Sequence, residues 1–271
     1  MIDLHSHILP GVDDGAETLE EALAMCLRAA DDGCEAIVAT PHLRHERFWN
    51  GDRALLEARC RQLRQRVGGR IEIHLGGEIA VHAESLDEIH ALPGGGLLPL
   101  AGTRYLLLEL PFQDYGFDPV EMVYELGVAG WRTILAHPER VAWLMEDMDL
   151  LRALVDHGAV MQVTAMSLTE GFGPVARGAA HRLMDAGLVH LVASDAHDAR
   201  LRPTGLSDAF EHVGRHWGAA TARALFKINP RAVLDDRPLE ALPQSVSEAG
   251  PTKTRQGPFG LARRLFSPGL R

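Results

Sequence analysis

A chain of 271 residues with 46% hydrophobic and 24% charged residues is long enough for one large globular domain or two small ones. A net charge of −10 argues against a general nucleic-acid partner, because a phosphate backbone needs a basic face, and no run of about eighteen apolar residues offers a membrane span. Three cysteines are odd in number and fit a reducing cytoplasm rather than a disulfide framework, and the amino-terminal residues lack the pattern of a secretory signal.

Taken in chain order, apolar runs at 2–5, 36–40, 71–75, 106–110, 133–136, 160–163 and 189–193 predict short strands. Helical stretches at 18–32, 52–67, 119–129, 150–157, 175–186 and 206–217 separate them. Thr18 followed by Glu21 reads as a capping box that starts the first helix, and Gly33 as its stop. Repeated strand–helix units with short links predict a parallel sheet. Their number over residues 1–235 favours a closed α/β barrel over a doubly wound sheet. No dinucleotide fingerprint follows the first strand, and Gly94-Gly95-Gly96 lacks the Lys and Ser/Thr of a phosphate loop and reads as a flexible loop. Beyond residue 235, Pro and Gly break every periodicity, so 236–271 is expected to be a disordered tail. From Lys253 its charges are all basic, and 259–266 could touch an anionic membrane surface or an acidic partner.

In a parallel barrel, function gathers at the carboxyl ends of the strands. Those ends read His5-Ser6-His7 with Asp13-Asp14 behind, Thr40-Pro41-His42, Gly76-Gly77-Glu78, Leu108-Glu109, Ala136-His137-Pro138-Glu139-Arg140 and Ser194-Asp195-Ala196-His197. On an extended strand residues i and i+2 share a face, so His5 and His7 can converge. The resulting set of imidazoles and carboxylates without thiolates points to catalytic divalent ions rather than structural zinc, and its size suggests more than one ion. Phe48, Trp49, Phe112, Tyr115 and Phe117 follow strand ends and are candidates either for an aromatic pocket or for packing of the barrel rim. Cys60 and Arg66 match the spacing of a cysteine-dependent phosphatase loop. The segment between them is helical and long-chained, with no small residues to cradle phosphate, so Cys60 reads as an inert helix residue.

Asp3-Leu4-His5-Ser6-His7, Pro41-His42, Glu78, His137-Pro138-Glu139-Arg140 and Ser194-Asp195-Ala196-His197 together resemble the polymerase-and-histidinol-phosphatase (PHP) superfamily. The string from His5 to Gly15 is similar to its CpsB/YwqE-type bacterial tyrosine phosphatases. The resemblance spans residues 1–235 and implies a distorted (β/α)7 TIM-like barrel of the PHP type with a three-metal cluster. Manganese is the usual ion there; iron, zinc or cobalt also suit nitrogen and oxygen ligands. Carried over by motif, His5, His7, Glu78 and Asp195 would hold one ion. Glu78 would bridge to a second with Glu109 and His137, and Asp14, His42 and His197 would hold the third. Histidines are usual in other PHP phosphoesterases where Asp14 and Glu109 stand, which favours the tyrosine-phosphatase branch.

Arg140 and Arg202 match arginines that the family uses on phosphate, with Arg200 a competitor for the second role. The implied activity is hydrolysis of phosphotyrosine on a membrane-associated capsule or exopolysaccharide tyrosine kinase, by a metal-bound hydroxide, in the cytoplasm. A histidinol-phosphate phosphatase and a non-catalytic metal-binding module are the rival readings.

Overall fold

The structure, a computed structural model, describes residues 1–82, 97–113 and 116–240. Tyr115, the triple glycine at 94–96 and the basic end of the tail lie outside the described residues.

The strands are β1 (Ile2–Ser6), β2 (Ala36–Ala39), β3 (His42–Leu43), β4 (Glu72–Leu75), β5 (Glu78–Ala80), β6 (Tyr105–Glu109), β7 (Arg132–Ala136), β8 (Val160–Thr164) and β9 (Leu191–Ala193). All pair in parallel, in two sheets of order β1-β2-β4 and β3-β5-β6-β7-β8-β9. Two of the expected strands are followed, after a break, by a short further strand that the sequence reading did not predict. Thr40-Pro41 separates β2 from β3, and Gly76-Gly77 separates β4 from β5, so each pair acts as one strand of the barrel with a step in it. Gly76 N–H still donates to Ala39 O (2.8 Å) and Glu78 N–H to Pro41 O (3.1 Å), which carries the pairing across the step. A side chain at Gly77 would collide with Leu43, its Cβ falling 2.2 Å from Leu43 Cδ1. At the other edge His7 N–H donates to Ala196 O (2.8 Å) and Asp195 N–H to His5 O (2.9 Å), which closes β9 onto β1. The result is the barrel expected from the strand–helix count, distorted as the family resemblance implies.

The described α-helices are α1 (Leu19–Asp31), α2 (Arg53–Val67), α3 (Pro119–Val128), α4 (Ala142–Met145), α5 (Met148–Asp156), α6 (Ala165–Leu168), α7 (Gly173–Asp185), α8 (Ser207–Trp217), α9 (Ala219–Arg223) and α10 (Asn229–Leu234). Thr18 caps α1 by accepting from Glu21 N–H (3.2 Å), as its spacing predicts. Cys60 is buried in the middle of α2, and burial pushes its thiol pKa up, which fits an inert helix residue.

Strand alternation divides the barrel into layers. Ile37, Leu106, Leu108, Leu135 and Val192 pack outward under the helices. Ile2, Leu4, Ala36, Val38, Tyr105, Leu107, Ile134, Val160 and Leu191 fill the interior, with Leu100 and Val233 beneath them. Residues 236–240, given to the tail by composition, pack on this floor instead. Arg104 Nε donates to Asp236 Oδ2 (2.8 Å), Tyr105 Oη donates to Arg237 O (2.6 Å), and Leu239 lies against the interior cluster. No helix among the described residues is long and apolar enough to cross a membrane.

Candidate metal centre

Above the apolar layers the same strands turn polar. In β1 the pairing with β2 slips between Asp3 and Ser6, where three residues of one strand span two of the other. Such a bulge re-aims side chains. Ile2 and Leu4 face the interior, and the extra residue lets His5 and then His7 face it too, one layer up. Asp3 turns outward and accepts from Ser194 N–H (3.0 Å), which ties β1 to the end of β9.

His5 Nε2 and His7 Nε2 converge to 3.2 Å. Around them His5 Nε2 lies 3.3 Å from Glu78 Oε1 and 3.4 Å from Asp195 Oδ1, while His7 Nε2 lies 3.4 Å from Glu78 Oε2 and 3.5 Å from Asp195 Oδ1. Beside this group, His137 Nε2 stands 2.9 Å from Glu78 Oε1 and 3.6 Å from Glu109 Oε1. His42 Nδ1 is 3.0 Å from Glu78 Oε2, and its Nε2 is 3.4 Å from Asp14 Oδ1. His197 Nε2 is 3.5 Å from the same Asp14 oxygen. All nine residues singled out at the strand ends therefore meet in one cluster, with Glu78 at its centre. Asp14 is the most exposed of them.

The donor set fits divalent ions. A tetrahedral ion with bonds of about 2.1 Å separates its ligands by about 3.4 Å, the spacing of the His5, His7, Glu78 and Asp195 atoms. His7, Asp14, His42 and His197 form a second compact group, and His42, Glu78 and Glu109 a third. Buried Glu78 Oε2 and His42 Nδ1 face each other at 3.0 Å without the geometry of a hydrogen bond, and buried His137 Nδ1 has no hydrogen-bond partner. The charges agree. Burial opposes ionisation of Glu78 and Asp195, yet the neighbouring imidazoles hold both carboxyls well below their usual range. Burial likewise opposes a charged His42, but Asp14 and Glu78 carry its pKa up to about 10. Protons on the imidazoles thus balance the carboxylates where cations would, and a metal entering must displace them. His197, pushed down to about 3 by burial and by His7, is already neutral.

The candidate ligands are held from behind. Asp13 Oδ2 takes His7 Nδ1 (2.8 Å) and also accepts from His42 N–H (3.1 Å); Gln162 Oε1 takes His5 Nδ1 (2.8 Å). These bonds direct the Nε2 atoms inward. Sequence reading left both residues without a role. Gln162 carried a usable signal, a lone amide inside the apolar run 160–163. Buried Glu139 fastens the loop after His137 by accepting from Thr164 N–H (3.0 Å) and Ser167 Oγ (2.7 Å). His137 (φ 35°) and Asp195 (φ 51°) sit in the left-handed region that non-glycine residues avoid, strain of a kind that clusters at functional sites. Gly15 must be glycine, because a Cβ there would fall 2.0 Å from His7 O.

Arg140 Nη1 and Arg202 Nη2 both donate to Asp195 Oδ2, at 2.8 and 2.7 Å. Arg200 is exposed and meets Asp198 through its backbone N–H, so Arg202 is the one at the cluster. Phe172, which the sequence reading passed over, lies under both guanidiniums, 5.0 Å from Arg140 and 5.5 Å from Arg202. Of the candidate aromatics, Phe112 lies parallel to His137 and 5.6 Å from the Arg140 guanidinium, and Phe48 lies parallel to His42. Trp49 is exposed and Phe117 packs into the core. A cavity of about 500 Å³ opens beside Glu109, with Phe112 and Val81 among its walls.

The sequence profile of the CpsB/CapC family, described as capsular polysaccharide synthesis, matches residues 1–235. The tyrosine-protein phosphatase YwqE of Bacillus subtilis is 34% identical over 221 residues, 81% of this chain and 86% of its own. The tyrosine-protein phosphatase CpsB of Streptococcus pneumoniae is 29% identical over 244 residues, 88% of this chain and 99% of its own. A chain from the crystal structures of YwqE and CpsB, described there as unique metal-dependent tyrosine phosphatases, superposes with a TM-score of 0.82 at 31% identity, over 91% of this chain and 99% of that one. Organophosphorus hydrolase from Deinococcus radiodurans, at 14% identity and a TM-score of 0.53, covering 86% of this chain and 92% of its own, shares the fold alone. With its profile match from the first residue to 235 and relatives alike along most of its length, this chain belongs to the CpsB/CapC family.

Proposed function

We infer that this chain is a metal-dependent protein-tyrosine phosphatase acting on phosphotyrosine of a membrane-associated bacterial capsule or exopolysaccharide tyrosine kinase, on the cytoplasmic side. The observation that carries the reading is the convergence of nine nitrogen and carboxylate ligands with two arginines at the mouth of the barrel. The names of the family's members support the substrate class.

In this reading three divalent ions, manganese first among the candidates, would be held by the three ligand groups named from the sequence. His7 stands between two of those groups. Bound ions supply a Lewis acid for the phosphoryl oxygens and acidify a water to serve as nucleophile. Asp13 and Gln162 keep the His7 and His5 rings oriented for that task. Arg140 and Arg202 turn their planar forks from Asp195 to two phosphoryl oxygens and offset charge as it builds. Phe172 stiffens both. The leaving phenol, with a pKa of about 10, departs without a strong general acid, which suits a site where none stands out.

The test is turnover by the full chain of a phosphotyrosine peptide, a phosphoserine peptide and histidinol phosphate, before and after chelation. Phosphotyrosine should be fastest, chelation should abolish activity, restored manganese should recover it, and Cys60→Ser should leave it unchanged. Faster hydrolysis of histidinol phosphate would overturn the assignment.

A further inference from the structure

A second group of imidazoles lies on the outer helices, apart from the strand ends. His181 of α7 and His212 of α8 bring their Nε2 atoms to 3.2 Å. His216 follows one turn after His212, its ring stacked at 4.1 Å. The indole of Trp217 stands edge-on to His181 at 5.0 Å, and a cavity of about 540 Å³ opens onto His181 between Glu170 and Arg177.

We propose that His181, His212 and His216 form an additional, imidazole-only site for a borderline-soft divalent ion, Cu²⁺ or Zn²⁺, that bridges α7 and α8. The 3.2 Å Nε2 separation is that of the His5–His7 pair and close to the spacing of about 3.4 Å expected around a tetrahedral ion. Histidines at i and i+4 of one helix are spaced to share an ion on one face. The tautomer of His216 suits such a site. His216 Nδ1 donates to His212 O (2.8 Å), which leaves the Nε2 lone pair unprotonated; to join the pair on an ion, this exposed side chain would leave that bond and its stack on His212. His181 Nε2 also lies 3.2 Å from Leu168 O, and binding an ion there moves its proton to Nδ1.

Nearby carboxylates are already engaged: Asp185 Oδ1 accepts from Trp217 Nε1 and Glu170 pairs with Arg177, each at 2.8 Å. A site without available carboxylates favours Cu²⁺ and Zn²⁺ and disfavours Mn²⁺. The ion would close a loop from His181 to His212 that contains Asp195, His197 and Arg202, and so tether three residues of the main centre.

Trp217 reports the site directly. Manganese-loaded full-length protein is titrated with Cu²⁺, its emission compared with that of Trp217→Phe to isolate the Trp217 signal, and Zn²⁺ is added in competition. The expected result is saturable quenching at one equivalent, reversed by Zn²⁺, insensitive to Mn²⁺, and weakened about tenfold or more in His181→Gln and in the exposed His216→Gln. Quenching that fails to saturate, or that is unchanged in His216→Gln, overturns the site whatever happens to His181→Gln. So does a loss of phosphatase activity on Cu²⁺ addition with no Trp217 response.

Discussion

The floor and the mouth of the barrel are built from the same strands and obey opposite rules. On the floor, Leu107, Ile134 and Leu191 pack with Val233 in one apolar cluster. At the mouth, Glu109, His137 and Asp195 crowd charges that each need a neighbour to be tolerated. Histidine shows the contrast within one residue type. His42 at the mouth is carried up to about 10 by carboxylates despite its burial, whereas His190 at the start of β9 is pushed down to about 4 by burial. The difference teaches where stability and chemistry reside: packing below holds the frame that forces incompatible groups together above.

Two substitutions separate the regions most sharply. Replacing His137 with Ala is expected to lower kcat/KM for a phosphotyrosine peptide by more than a hundredfold, since even residues behind a ligand cost about 10–100-fold. Its urea midpoint in chelator should change little. Leu107→Ala should do the reverse, lowering stability by about 2–5 kcal/mol in denaturant titration while the folded fraction keeps its turnover. A mouth variant that unfolds the protein, or a floor variant that silences it while folded, would break the division.

The histidine contrast predicts a pH dependence of intermediate size. His190 Nδ1 accepts from Met161 N–H (3.2 Å), a bond only the neutral ring can make. The folded pKa lies below the unfolded one, so its stabilisation is complete above pH 6.5 and is lost as pH falls toward 4. The loss should approach about 3 kcal/mol, and His190→Asn, which keeps an acceptor that does not titrate there, should flatten the stability curve across that window. The smallest effect is expected at the rim. Phe112→Ala should raise KM for an aryl phosphate about threefold to tenfold and leave an alkyl phosphate unaffected, because only the former offers a ring to stack.

Much of this was legible in the sequence because barrel strands place function at their carboxyl ends, and ligand-type side chains recur there in chain order. Thr18 and Glu21 announced the first helix by spacing alone. The steps at Thr40-Pro41 and Gly76-Gly77 were not legible. A two-residue strand such as β3 is defined by its pairing with β5, and that pairing is nonlocal. Phe172 was passed over for a similar reason: its partners Arg140 and Arg202 come from two other loops. Asp13 was in plain view beside Asp14, yet only the fold shows that one aims the imidazole of His7 while the other faces His42 and His197.

The bulge in β1 gives that strand a constraint beyond composition. An ordinary pleat running from Ile2 would send His5 outward among the helices and keep only alternate residues inside. One additional residue shifts the phase, so that a hydrophobic layer and a ligand layer are stacked with no spacer between them. The spacing from Asp3 to Ser6 is therefore a counted quantity. A single-residue deletion there leaves every ligand type in the chain and still takes the first two away from the centre.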